Sequence, residues 1–406
     1  MQGYGPNIGL YFHIPFCSRI CSYCDFSKTS IYTQDIINSY VQKLSDHFNY
    51  VKDLLFDNTC ELKDQKFYSM YLGGGTPSLI THQYEKLFDT VRPYLKNDAE
   101  ITLEANPQDI NHKNLKIWSS LGINRLSIGV QSFNQEALRF LTREPLSVDQ
   151  ILDIISISRN YFSNLNIDLI YSLPIANHES IFFKDLDILT SQVIPEHISL
   201  YCLSYSSKTP LGLREKRGII KRIDDDTCAD IYEKAIDLLQ DRYIHEEVSN
   251  WYLPSYPAKH SNLYWSGGYY LGIGPGASGY LPQTIKLKNR FSIQTPTHLG
   301  WRYTYNSQIK AFLDSKINWD KLIQEDVRSE QSFLYELLGS TLRSRNGLDL
   351  KKLESISGYR FIPTSFIKGA ISQGILRLEY DKIFLDPSSW FLEMSWAKKL
   401  IEAFKR

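Results

Sequence analysis

Over the first half of the chain, short β-rich runs alternate with longer helical stretches. The runs are "IGLYFHIP" (8–15), "FYSMYLGGG" (67–75), "EITLEANP" (100–107), "RLSIGVQSF" (125–133), "NLNIDLIYSLP" (164–174) and "HISLYCLS" (197–204). Between the first two, Ile37, Tyr40, Leu44, Phe48, Val51 and Leu55 recur at three- and four-residue spacing behind Thr33. That spacing predicts an amphipathic helix with Thr33 as its N-cap. Strands alternating with helices imply parallel strands joined by right-handed crossovers. Six such units predict an open, partial β/α barrel, where eight would close a full one.

Alternation within the strands adds a second inference. Ile101, Leu103 and Ala105 share one face of their strand, and Thr102, Glu104 and Asn106 share the other. Leu126, Ile128 and Val130 oppose Ser127, Gly129 and Gln131, and Asp168 opposes Ile167 and Leu169. A parallel sheet packed on both faces reads as nearly continuous apolar sequence. A polar face recurring from strand to strand therefore predicts a barrel interior lined for binding.

Residues 206–330 are less regular, with an acidic "DDD" (224–226) that reads as a solvated helix start, a helix over 227–241 and an aromatic, glycine-rich stretch over 249–280. From 331 the pattern turns helical, then shows a two-strand signal, "ILRLEYDKIFLD" (375–386), and a last amphipathic helix. The expected organisation is an α/β partial barrel over 1–205, a barrel extension over 206–330, and a mostly helical, winged-helix-like domain over 331–406.

The chain has 406 residues, 43% of them hydrophobic, with 45 basic against 45 acidic side chains. That balance argues against general nucleic-acid binding, and gives the C-terminal domain a structural or interaction role. No apolar run spans a bilayer and the N-terminus lacks a signal-peptide pattern, so a cytoplasmic protein is expected. Six cysteines are too few for a disulfide scaffold. Cys60, Cys202 and Cys228 are scattered and read as ordinary packing residues.

The other three are clustered in "FCSRICSYCDF" (16–26): Cys17, Cys21 and Cys24, directly after the first strand. Structural zinc needs four protein ligands, commonly from two paired clusters, and no second pair exists here. His13 is a fourth candidate, but it lies within the strand. Thiolates also suit a [4Fe–4S] cluster, which usually takes four cysteines. With three, one iron is left to bind a small molecule.

C-x3-C-x2-C after the first strand of a partial β/α barrel resembles the radical S-adenosylmethionine (SAM) family. "YLGGGTPS" (71–78) strengthens the likeness. Its glycines allow close backbone approach, and its N–H groups are placed to meet a ligand. Together with "TLEANP", "GVQSF", "NIDLIYSLP", "HISLY", "HSNLYW" (260–265) and "YLGIGPGASGY" (270–280), these motifs resemble the oxygen-independent coproporphyrinogen III oxidase-like group. In that group the dehydrogenase of heme biosynthesis continues its motif to a further cysteine, whereas the heme-chaperone branch has phenylalanine there. This chain reads Cys24-Asp25-Phe26 and starts almost at the motif, which resembles the chaperone branch.

The resemblance implies Cys17, Cys21 and Cys24 as ligands of a [4Fe–4S] cluster. It implies SAM contacts at Tyr11, Tyr23, Gly74, Gly75, Thr76, Glu104, Gln131, Arg143 and Asp168, and His260 as a heme ligand. Heme would be the cargo, passed to a heme-accepting protein such as a respiratory enzyme, through which the chain would meet a membrane transiently. An electron donor is implied if SAM is cleaved, and a homodimer stays open. The alternative is the dehydrogenase itself, which decarboxylates two propionates of coproporphyrinogen III to vinyls. Departures from the group's pattern fall at Thr142 and Ser172, where glycine is usual, and at Pro145, Ile175, Ser261 and Glu246. They touch heme-associated and supporting positions more than the cluster and SAM positions.

Overall fold

The computed structural model describes residues 7–55, 66–281, 301–314, 318–325 and 329–406. All six runs form strands: β1 (Ile8–Ile14), β2 (Phe67–Gly74), β3 (Leu95–Ala105), β4 (Arg125–Gln131), β5 (Leu165–Tyr171) and β6 (His197–Cys202). Each lies parallel to its neighbours, in chain order. The helix after β1 spans Gln34–Leu55. Thr33 caps it, its Oγ1 accepting the Ile36 N–H at 3.3 Å. Ile37, Tyr40, Leu44, Phe48 and Val51 are buried as their spacing predicts. Each such side chain contributes about 1.5–3 kcal/mol by leaving water.

The sheet is larger than the six-unit reading. After β7 (Ile244–Glu247) and β8 (Asn250–Tyr252), which extend the β6 edge antiparallel, the chain crosses back. There β9 (Tyr269–Ile273) pairs parallel with β1, from Ile8 opposite Tyr269 to Phe12 opposite Ile273. A seventh parallel strand therefore flanks the barrel. The strands β10 (Ser278–Leu281), β11 (Trp301–Tyr305) and β12 (Ile323–Glu325) continue antiparallel, completing a twelve-stranded sheet. β9 escaped the sequence reading because "YYLGIGPG" carries glycine inside the strand. A Cβ at Gly272 would lie 2.0 Å from the Ser278 carbonyl oxygen, so only glycine lets β10 approach.

The acidic run starts a helix as expected: Asp224 caps Asp225–Leu239, its Oδ1 accepting the Thr227 N–H at 2.9 Å. The C-terminal residues build a second core. Helix Glu330–Leu342 packs Phe333, Leu334, Leu338 and Leu342 against Leu353, Ile367, Trp390 and Leu400, and Tyr280 of β10 joins them. The two-strand signal is a hairpin, Leu376–Glu379 with Lys382–Leu385, turning at Tyr380 (φ 50°) and Asp381 (φ 62°). Positive φ at both turn residues matches the right-handed twist of a tight hairpin. Among the described residues no helix is long and apolar enough to cross a membrane.

Candidate functional site

The cysteine loop leaves β1 and folds back as a backbone ladder. The Cys17 N–H donates to the Thr29 carbonyl at 2.9 Å, and the Thr29 N–H to Pro15 at 2.7 Å. His13 Nε2 lies 2.7 Å from the Ser27 carbonyl oxygen, so that ring nitrogen carries the proton. Lys28 Nζ donates to the carbonyls of Cys24 at 2.5 Å and Phe26 at 3.1 Å. These bonds place Cys17, Cys21 and Cys24 on the wall of one cavity of about 490 Å3. Phe26 stands on its rim, 65% exposed.

The opposite wall comes from the polar strand faces. Glu104 of β3, Ser127, Gly129 and Gln131 of β4, and Asp168 of β5 line the same cavity, as the alternation predicts. Tyr23, Gly74, Gly75, Thr76 and Arg143 line it as well, while Tyr11 does not. Arg143 bridges the walls, with Nη2 donating to the Gly129 carbonyl at 2.6 Å and Nη1 lying 3.7 Å from Cys21 Sγ.

Both carboxylates are held inside the protein. Glu104 accepts from the Tyr71 hydroxyl at 2.9 Å and the Gly74 N–H at 3.1 Å. Asp168 accepts from Asn166 Nδ2 at 2.7 Å, and the same amide donates to Ser127 and Ser199. Burial pushes the Glu104 carboxyl up to about 7, against the opposing pull of the Tyr71 hydrogen bond. Burial likewise raises Asp168. A raised carboxyl binds its proton more tightly when folded. Its stabilising effect is therefore complete below the unfolded value of 4.5 and is lost as pH rises through about 7. In Glu104→Gln protein, the fall in urea-unfolding free energy between those two pH values is expected to be shallower than in the parent; equal slopes would remove Glu104 as a source.

The three glycines of "YLGGGTPS" also serve the chain's own packing. A Cβ at Gly73 would meet Tyr71, Tyr11 and Glu104, one at Gly74 the His13 ring, and one at Gly75 the backbone of residues 14–16. Their N–H groups are also engaged. Gly74 donates to Glu104, Gly75 to the Ile14 carbonyl at 2.7 Å and Thr76 to the Phe16 carbonyl at 2.8 Å.

His260 lies outside the cysteine cavity and is 1% exposed. Nδ1 is 2.8 Å from Ser69 Oγ and Nε2 is 2.7 Å from the Tyr264 hydroxyl. Both ring nitrogens are engaged, and burial lowers its pKa to about 3. Tyr11 likewise faces an adjoining inner cavity, shared with His260, Tyr264, Trp265 and Arg343, which meets the cysteine cavity at Glu104 and Tyr201.

Tyr71, Asn166 and Lys28 were not singled out from the sequence. Asn166 falls on the same polar strand face as Asp168, so the alternation carried a signal for it. Tyr71 carried none, since it lies beside glycines in an aromatic run. The two glycine departures acquire a physical meaning. Thr142 (φ 62°) and Ser172 (φ 60°) both adopt the left-handed conformation that favours glycine. Thr142→Gly and Ser172→Gly are each expected to stabilise the protein by about 1 kcal/mol. An unchanged urea midpoint would contradict this.

The donor set fits an iron–sulfur cluster. Cys17, Cys21 and Cys24 line one cavity, and thiolates are the usual ligands of such a cluster. Of the other three cysteines, Cys60 lies outside the described residues.

The radical SAM superfamily model matches residues 11–182. The heme chaperone HemW of Lactococcus lactis is 33% identical over 354 residues, spanning 86% of this chain and 85% of that protein. The Escherichia coli heme chaperone HemW is 34% identical, over 68% and 70% of the two chains. A zebrafish (Danio rerio) radical S-adenosyl methionine domain-containing protein 1, mitochondrial, is 33% identical over 69% of this chain and 62% of its own. Among solved structures, the coproporphyrinogen III oxidase (HemN) of Escherichia coli superposes with a TM-score of 0.71, covering 97% of this chain and 90% of that one. At 19% identity that likeness describes the fold alone.

Proposed function

Because this chain belongs to the HemW heme chaperone family of the radical SAM superfamily, we propose that it binds a [4Fe–4S] cluster and SAM and delivers heme to an acceptor protein. The observation that carries the cofactor part is the single cavity in which Cys17, Cys21 and Cys24 face Glu104, Gln131, Arg143 and Asp168. The three thiols hold three irons. When bound, the cluster and SAM supply one-electron reductive chemistry, which belongs to the cofactors and not to any side chain.

The chain's own residues bind and orient. Burial raises the thiols of Cys17 and Cys24, so loading the site displaces protons from them. Arg143 joins the two walls, with Nη1 beside Cys21 Sγ and Nη2 donating to the Gly129 carbonyl. Glu104 and Asp168 offer carboxylate oxygens to the amino group and hydroxyls of SAM. Tyr23 offers a ring face for its adenine.

The chaperone part rests on the family and on Phe26, which stands where the dehydrogenase branch has a further cysteine. Heme is the cargo, and His260 serves as a structural histidine tying β2 to helix Lys259–Trp265. The test is a heme titration of anaerobically reconstituted protein. One heme per chain is expected, and His260→Ala protein that still folds by circular dichroism is expected to keep it. Absence of heme binding in the parent would overturn the chaperone reading. Loss of the heme spectrum in the folded variant would instead reinstate His260 as the ligand.

A further inference from the structure

The polar strand face that lines the cysteine cavity continues behind it. On β5 and β6, Asn166 lies opposite His197 and Asp168 opposite Ser199. Asp168 reaches the cavity, whereas Asn166 and His197 stand behind its wall. Both are buried, His197 at 1% exposure. His197 Nδ1 lies 2.7 Å from Asn166 Oδ1, and its Nε2 lies 3.0 Å from Glu246 Oε2. Glu246 is equally buried and is one of the departures from the group's pattern. Its other oxygen accepts from Asn262 Nδ2 at 2.6 Å.

The hydrogen bonds fix which way each of these groups points. The Glu247 carboxylate is paired with Arg343, so Asn250 presents its NH2 to it and its carbonyl oxygen to the Ser199 hydroxyl, 2.8 Å away. Ser199 gives its one proton there and accepts from Asn166 Nδ2 at 3.0 Å. The Asn166 amide nitrogen therefore faces Ser199, Ser127 and Asp168, and its carbonyl oxygen faces His197. An acceptor at that place requires the His197 proton on Nδ1, and Glu246 holds the far side of the ring. The result is an unbroken chain from Glu246 through His197 and Asn166 to Asp168 Oδ1. Asp168 Oδ2, with the Ser127 hydroxyl 3.5 Å away, is the oxygen more open to a ligand.

We propose that His197 is a positioning residue for SAM: by pinning the Asn166 amide, it holds the Asp168 carboxylate in the direction in which bound SAM meets it. This rests on the reading that SAM occupies the cysteine cavity and contacts Asp168. Released by His197, the Asn166 amide is free to rotate and bring its oxygen to Asp168, where two acceptors face each other and the carboxylate turns away. A buried histidine that only filled space would be replaceable by any side chain of its size. One that works through Nδ1 is replaceable by a side chain with a donor at that place. Asparagine carries an amide nitrogen on Cγ, as histidine carries Nδ1, and glutamine carries one on Cδ, nearer the place of Nε2. The two variants therefore separate the Asn166 contact from the Glu246 contact.

The experiment uses full-length, cluster-loaded protein kept free of oxygen and measures binding of radiolabelled SAM by equilibrium dialysis. Circular dichroism and iron content check folding and loading in each variant. Asp168→Asn protein is expected to bind SAM about tenfold more weakly than the parent, His197→Gln protein to lose about as much, and His197→Asn protein to stay within about twofold. His197→Gln added to Asp168→Asn should cost nothing further, because both act on one contact. Parental affinity in His197→Gln protein, or equal losses in the two His197 variants, would overturn the proposal, while a weakened Asp168→Asn protein leaves the SAM reading standing. A parent that binds no SAM, or Asp168→Asn protein that binds it like the parent, would overturn that reading and the proposal with it. If His197→Gln protein does not fold, Asn166→Ala replaces it: weakened SAM binding supports the chain from His197 to Asp168, and parental affinity overturns it.

Discussion

Cys21→Ser protein is expected to fold normally and to hold no [4Fe–4S] cluster after anaerobic reconstitution. The ladder that shapes the loop runs through backbone groups of Pro15, Cys17, Ser27 and Thr29 with the His13 ring, and through Lys28 to the carbonyls of Cys24 and Phe26. None of those bonds uses the Cys21 sulfur. Removing Sγ therefore deletes a ligand and leaves its support standing, and the apo protein should unfold within about 0.5 kcal/mol of the parent. Iron and acid-labile sulfide are expected to fall to background. Full iron content in the variant would show that Cys21 is not a ligand.

Arg343→Ala is expected to cause the largest loss of stability, about 3–5 kcal/mol. The Glu247 side chain is 1% exposed and Arg343 is its charged partner, with Nη2 at 2.8 Å and Nε at 3.1 Å from Oε2. The guanidinium also lies over the Trp265 ring, 4.3 Å from its centroid. Asn250 and the Ser249 N–H bond to the other Glu247 oxygen, which neutralises no charge. Truncating the arginine leaves a buried carboxylate without its counterion, and that desolvation is the dominant cost. Arg343→Lys should recover part of the loss, because one ammonium cannot reproduce the two-pronged contact. The double variant Arg343→Met with Glu247→Gln should be less destabilised than Arg343→Ala alone. Urea unfolding measures all three; a loss below about 1 kcal/mol for Arg343→Ala would mean that water already solvates Glu247.

Why these two sites differ in legibility is a matter of range. The cysteine triplet is local, and the strand faces carrying Glu104, Gln131 and Asp168 follow from a period of two, so one cavity wall could be read from the chain. The Glu247–Arg343 pair joins residues far apart in sequence, and nothing local marks either as buried. β9 was hidden for another reason: its glycine, Gly272, satisfies a close approach by β10 that appears only once both strands are in place. The "YLGGGTPS" loop was legible as special, but the close approach of the His13 ring to Gly74 was not, because the two residues lie on different strands. Thr142 and Ser172 stood out as departures from the group's glycines, and only their backbone angles explain what those departures cost.

The central claim is that the barrel carries heme rather than transforming a porphyrinogen. The measurement that tests it most directly places cluster-loaded protein in two parallel anaerobic reactions. One receives heme and then the heme-free form of a heme-accepting protein. The other receives coproporphyrinogen III, SAM and a reductant. Heme appearing on the acceptor, with no protoporphyrinogen IX in the second reaction, is the predicted result. SAM-dependent formation of protoporphyrinogen IX would contradict the account and make Phe26 a misleading guide to function.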